Sequence, residues 1–539
     1  MSNGSRKSKW LWVVVVVVVL AIVVGWLAWC ALLREEPQEI AAGDEYFKYG
    51  SIGGEQATGI PYWVWLVLPN MFPEKLPKPD GWAAFGFNWE RGQPLPVGFS
   101  NRTVGFERVT INCAFCHTGR LRVPGDPVPK VILGGPGNTV DPLAYQRFLF
   151  AAANDPRFTG DNVVREIDAI YDMGFFEREL YRWLLVPLTR DALLDLEADF
   201  EWTNERPAWG RGRIDPFNPV KVAILGDVDP DVGPGDTIGN SDMQTLWSVR
   251  EQTERGWAYH WDGLQTDLHE VVVSSALGDG ATPKTLPDEQ LAALQDYIQT
   301  LRPPKFTDYF EIDTALADAG RPIYEQHCAR CHADDGELTG SVLPLTAEAW
   351  TEGIGTAAVA DATDEADAAE GDAAAADDAA AEGDGEADAM ADAASPTADP
   401  GDPWTDPHRA EMWDPAAAAA YNEFPMGDGT TFDHFRSTGG YVNVPLDGLW
   451  LRAPYLHNGS VPYLAELFEP PAERTTTFYR GYDLYDPERV GFVAEGEDAE
   501  RGGTVYDVTE TGNSNQGHLW GIELSEAEKQ ALVEYLKTL

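Results

Sequence analysis

Cysteine is scarce in this chain, with five residues in 539. Four form two close pairs, Cys113 with Cys116 and Cys328 with Cys331, and the fifth, Cys30, lies in an apolar N-terminal segment. No pair is left for a structural disulfide, which excludes a disulfide-stapled scaffold. Positive charge is scarce as well. Lys and Arg total 39 against 88 Asp and Glu, a formal net charge of −49. Such a surface repels nucleic acid and anionic lipid, so no nucleic-acid partner is expected. It suits a basic partner or a high-salt habitat, and charge alone chooses neither.

What is present is more specific. Cys328-Ala329-Arg330-Cys331-His332 and Cys113-Ala114-Phe115-Cys116-His117 both read C-x-x-C-H, the attachment motif for c-type haem. Two thiols at this spacing form thioethers to both vinyl groups of one haem, and the histidine that follows is placed to ligate the iron. Two motifs predict two c-type haems. The competing readings are one structural zinc site or a thioredoxin-like redox pair. Zinc rarely needs histidine directly after the second cysteine of both pairs, and no helix–strand pattern supports a thioredoxin fold.

Residues 10–33 carry no charge and are long enough to cross a bilayer as a helix, with tryptophans at both ends. Arg6, Lys7 and Lys9 precede the run, while only Arg34 follows closely, beside Glu35 and Glu36. That bias predicts a cytoplasmic segment at 1–9 and a single-pass inner-membrane anchor, with the haem domains on the periplasmic side. A cleaved signal peptide is the alternative, although its apolar core is normally shorter.

The remainder divides into an expected N-terminal haem domain over 45–305 and a C-terminal one over 306–539. The start of the first, rich in Gly, Pro and aromatics, reads as packed loops with short helices. A helical stretch is expected near 161–196. Leu291, Leu294, Tyr297, Ile298 and Leu301 share one face of a helix that Pro303-Pro304 stops. Ser525 with Glu528 makes a capping box for a closing helix with Leu532, Tyr535 and Leu536 on its apolar face. Residues 356–403 are Ala, Asp, Glu and Gly with almost no large apolar side chain, a composition that cannot bury a core. They read as an acidic insertion, either a tether or a tolerated surface loop. The expected fold is therefore mainly α: two cytochrome c-like haem domains with extended loops, preceded by one transmembrane helix.

The stretches FKYGSIG, GIPYWVW, INCAFCHTG, GRGRIDPFN, HWDG, APYLHNGSVPYL, FYRGYD and GNSNQGH resemble the di-haem cytochrome c peroxidase and MauG superfamily, nearest to its rubber-oxygenase-like branch. The resemblance implies that the N-terminal haem has an open face and carries the chemistry, while the C-terminal haem is six-coordinate and passes electrons. It implies His117 and His332 as proximal ligands and His457, in APYLHNGS, as the distal ligand of the second haem, with Met426 as the fallback. Phe217 is the candidate apolar distal wall of the first haem. His260 is a candidate distal ligand or acid–base group, or else a hydrogen-bonded core histidine. Trp202 and Trp209 are candidates for the electron path. Arg211 and Arg213 are candidates for pairing haem propionates, or else solvated surface residues. The expected function is a membrane-anchored periplasmic oxidoreductase working on peroxide or dioxygen, with a small-molecule oxidant or a redox protein as partner. The alternative is an electron carrier with two six-coordinate haems.

Overall fold

The computed structural model describes residues 10, 12–19, 22, 25–26, 34–36, 38–221, 237–346, 403–426 and 429–539. Cys30, residues 1–9 and the acidic insertion up to residue 402 lie outside the described residues.

The expectation of a mainly α fold behind a membrane anchor is corrected. The chain is about 42% helix and 12% strand, and most of its strands are short antiparallel pairs that pin long loops. Phe99–Val104 and Phe106–Ile111 pair across Gly105, which takes φ 77°, and Ile60–Pro61 adds a third strand. Thr, Val, Ile and Phe along these segments suit a pleated, half-buried surface. The start of the domain, expected as packed loops with short helices, holds the helices Asp44–Tyr49, Glu55–Thr58 and Tyr62–Met71.

Among the described residues no helix is long and apolar enough to cross a membrane. The transmembrane helix at 10–33, and with it the single-pass inner-membrane placement and periplasmic orientation, is not supported. The described helical run 12–19 is mostly valine, which gives up side-chain freedom in a helix.

Two apolar cores organise the rest. The smaller one holds Trp65, Phe85, Phe99, Phe148 and Ile167. The larger one runs from Phe47 and Trp247 to Tyr324, Trp450 and Leu532, so it draws on sequence from both sides of residue 305. Main-chain bonds stitch the same two regions: Val442 N–H donates to Trp261 O at 2.9 Å, and Asp242 N–H to His457 O at 2.8 Å. The buried pair Arg480–Asp242, at 2.5 Å, lies in the same seam.

The helix Thr314–His327 delivers the second haem motif. Asp313 caps it by accepting from Ala315 and Leu316 N–H. Ala317, Gly320 and Tyr324 recur at helical spacing and are buried against the closing helix Glu526–Leu536. At Gly320 an added Cβ collides with the carbonyl oxygen of Ala531, so only glycine allows this close approach. The capping box of Ser525 and Glu528 forms, with Ser525 N–H donating to Glu528 at 2.9 Å. The helix Asp288–Ile298 buries Leu291, Leu294 and Ile298. The stretch near 161–196 breaks at Gly174 into Gly160–Asp168 and a run that starts at Phe175.

Candidate haem sites

The first C-x-x-C-H folds as a tight turn. Asn112 caps it by accepting from Ala114 N–H at 3.0 Å, and its own amide donates to Gly50 O at 2.9 Å. That bond ties the motif to the FKYGSIG stretch. His117 Nδ1 lies 2.8 Å from Gln244 O. With Nδ1 occupied by a carbonyl, Nε2 is the nitrogen left for a metal, the usual arrangement of a ligating histidine. His117 and Cys113 border a cavity, part of it open to solvent, whose walls include Phe47, Leu268, His260 and Arg452.

His260 takes φ 68°, and its accessible surface faces this cavity. Burial, then Arg409 and His117, push its pKa down to about 3, so the imidazole is neutral at ordinary pH. Phe217 packs edge-on against it, with ring centres 5.3 Å apart. Arg409 lies 5.0 Å over the Phe217 ring and pairs through two nitrogens with the buried Asp262.

The second site repeats the proximal arrangement. His332 Nδ1 lies 2.8 Å from Val444 O. Across from it stands His518, with ring centres 6.4 Å apart and planes inclined by 28°. An iron between two imidazoles, each nitrogen about 2 Å from the metal and each ring centre about 1 Å further out, needs a spacing of about 6 Å. His518 takes φ 49°, and its Nδ1 has no hydrogen-bond partner among the described residues. Its loop is held by Arg474, whose guanidinium donates to the carbonyls of Asn515 (2.6 Å), Gly517 (2.8 Å) and His518 (3.2 Å).

This donor set fits haem better than zinc. All four cysteines are free. Burial pushes the Cys113 and Cys328 thiols up to about 12. Among the described residues no group of three or more His, Cys, Asp or Glu side chains is arranged to hold a metal ion.

Residues 440–479 match the family model described as RoxA-like, cytochrome c-like. The match relates the chain to the RoxA-like c-type cytochromes and implies c-type haem. The matched segment includes Val444, which holds His332, as well as Arg452 and His457. Over 529 aligned residues the chain is 26% identical to an uncharacterized Sinorhizobium fredii protein, y4iJ, with 84% of each chain covered. A second uncharacterized protein of that organism, y4iM, is 40% identical over 119 residues, covering 18% of this chain and 27% of the relative.

His457 is buried against Tyr441, with ring centres 4.1 Å apart and Nε2 3.0 Å from the phenol oxygen. Met426 packs at the edge of the larger core, its N–H donating to Thr430 O. Trp202 stacks on Phe200, and neither it nor the buried Trp209 lines the cavity. Arg211 spends both terminal nitrogens on the carbonyls of Thr139 and Ala84. Arg213 is buried beneath Tyr506 and donates to Asn513; its Nε and Nη2 have no hydrogen-bond partner among the described residues.

Three residues took no role in the sequence reading: His518, Trp261 and Arg452. The first two lay inside quoted stretches, GNSNQGH and HWDG, so a signal existed. Nothing local marked Arg452. Trp261 lines the cavity, donates from Nε1 to Asp242 O at 2.8 Å, and accepts at its own carbonyl from Val442. Val442 is two residues from the Val444 carbonyl that holds His332.

Proposed function

We propose that this chain is a di-haem c-type cytochrome acting as an oxidoreductase. Cys113, Cys116 and His117 hold one haem in the large cavity, and Cys328, Cys331, His332 and His518 hold the other. The observation that carries the reading is the contrast between the two sites. The second has two histidines at the spacing one iron needs, whereas His117 of the first borders a cavity partly open to solvent. Haem in the first cavity supplies redox chemistry on a small oxidant, peroxide or dioxygen.

The chain's own residues shape that chemistry. Gln244 O orients His117. Phe217 presents an apolar wall behind His260, and burial with Arg409 and His117 disfavours protonation of that imidazole, so it stays neutral inside the cavity. Trp261 joins the two sites through an indole on the cavity and a hydrogen-bonded strand to Val444, which makes it a better-supported electron path than Trp202 or Trp209. A redox protein docking on the acidic surface, or a small-molecule oxidant, completes the circuit.

A second reading has an observation of its own. His260 shares the cavity with His117, and if it ligates, both haems are six-coordinate and the protein is an electron carrier. Carbon monoxide difference spectra of the reduced protein separate the two. The oxidoreductase reading expects carbon monoxide at one haem of two. Binding at neither haem in wild type, gained in His260→Ala, supports the carrier instead.

A further inference from the structure

The first cavity has one Arg or Lys among its described lining residues, Arg452. Its guanidinium is braced rather than mobile: Nε donates to Asp447 O at 3.0 Å, Nη1 to Pro445 O at 2.9 Å, and Nη2 to the same Asp447 O. An arginine offers five N–H donors in a planar fork. Three are used, all on main-chain carbonyls, leaving one N–H on each terminal nitrogen. That remaining pair is the arrangement that grips a carboxylate bidentately. Among the described residues no carboxylate forms an ion pair with Arg452. Burial pushes the Arg452 pKa down to about 10, and the Asp447 carboxylate opposes this from nearby without pairing with it. The cavity's own acid, Asp242, is already paired with Arg480. An unneutralised, braced cation facing a cavity calls for an anion from the occupant, and a c-type haem carries two propionate carboxylates.

We infer that Arg452, which lines the cavity where neither Arg211 nor Arg213 does, is the propionate clamp of the first haem. This rests on the reading that the first cavity holds a haem linked through Cys113 and Cys116. The clamp also couples the sites. The carbonyls bracing Arg452 belong to Pro445 and Asp447, in the same short loop whose Val444 carbonyl orients His332. One loop therefore fixes a cation beside one cofactor and the axial histidine of the other.

The test uses full-length holoprotein carrying Arg452→Gln or Arg452→Lys. Covalent haem is counted first by the pyridine haemochrome, then midpoint potentials and resonance Raman propionate-bending bands are recorded. Both variants are expected to keep two haems, because the thioethers do not depend on Arg452. In Arg452→Gln the first haem's potential falls by at least about 59 mV, a tenfold change in a one-electron equilibrium, and the second falls by less. Arg452→Lys keeps the charge but not the fork, so it holds most of the potential while its propionate band shifts. Unchanged potentials and bands in Arg452→Gln with both haems attached overturn the inference. Should that variant not fold, an unshifted band in Arg452→Lys overturns it equally. A wild-type protein with no haem on Cys113 and Cys116 defeats the underlying reading, a result the haem count reveals before any variant is made.

Discussion

His332 and His518 face one another with ring centres 6.4 Å apart, although one belongs to a C-x-x-C-H motif and the other to a glycine-rich loop near the C-terminus. Each is held by main chain. Val444 fixes the first through its carbonyl, and Arg474 fixes the loop of the second. A pair held this way at both ends is suited to an iron that changes charge without changing ligands.

Replacing His518 with Ala is expected to convert the second haem from low-spin to high-spin and to add a carbon monoxide site, seen in absorption spectra of the reduced protein. His457→Ala should leave that haem low-spin. It removes a buried partner of Tyr441, so its effect is on stability, a loss of about 1–3 kcal/mol in denaturant titration. Low-spin character lost in His457→Ala and kept in His518→Ala would reverse the ligand assignment.

His457 also predicts a pH dependence. Burial is the largest of the causes that push its pKa from 6.5 down to about 3. The unfolded chain then binds a proton that the folded chain refuses between about pH 3 and 6.5. Stability is lost as pH falls through that window, at a slope of up to about 1.4 kcal/mol per unit from this residue. His457→Gln should flatten that slope in melts recorded from pH 6.5 downward, while leaving stability near pH 8 without further pH dependence from this site.

Gly320→Ala places a methyl group against Ala531 O, at the contact between the helix that carries the second haem motif and the closing helix. A shift of that helix costs about 1–3 kcal/mol and disturbs the His332–Val444 bond. A lower melting temperature together with a changed low-spin spectrum is the expected outcome. A lower melting temperature alone would mean that the helix accommodates the methyl without moving the motif.

Trp261→Phe keeps an aromatic ring on the cavity but removes the bond to Asp242, and Trp261→Ala removes both. Equilibration of electrons between the haems, followed by stopped-flow reduction, should slow most in Trp261→Ala, less in Trp261→Phe, and not at all in Trp202→Ala. Equal slowing in Trp202→Ala would return the path to the outer tryptophans.

The amino-acid order by itself determined the local chemistry: two C-x-x-C-H motifs, the capping box at Ser525, the apolar face of Asp288–Ile298, and the acidity of the chain. Each depends on residues within a turn or two of one another, where spacing and side-chain type decide the outcome. The apolar run at 10–33 was legible as hydrophobic, but hydrophobicity does not set helix length, and the anchor read from it failed. Tertiary structure alone decided which histidine faces His332, and which tryptophan and which arginine line the cavity. Those are matters of direction and distance between segments a hundred or more residues apart. They are settled when the larger core and the short antiparallel pairs bring the segments together, and no local pattern carries that information.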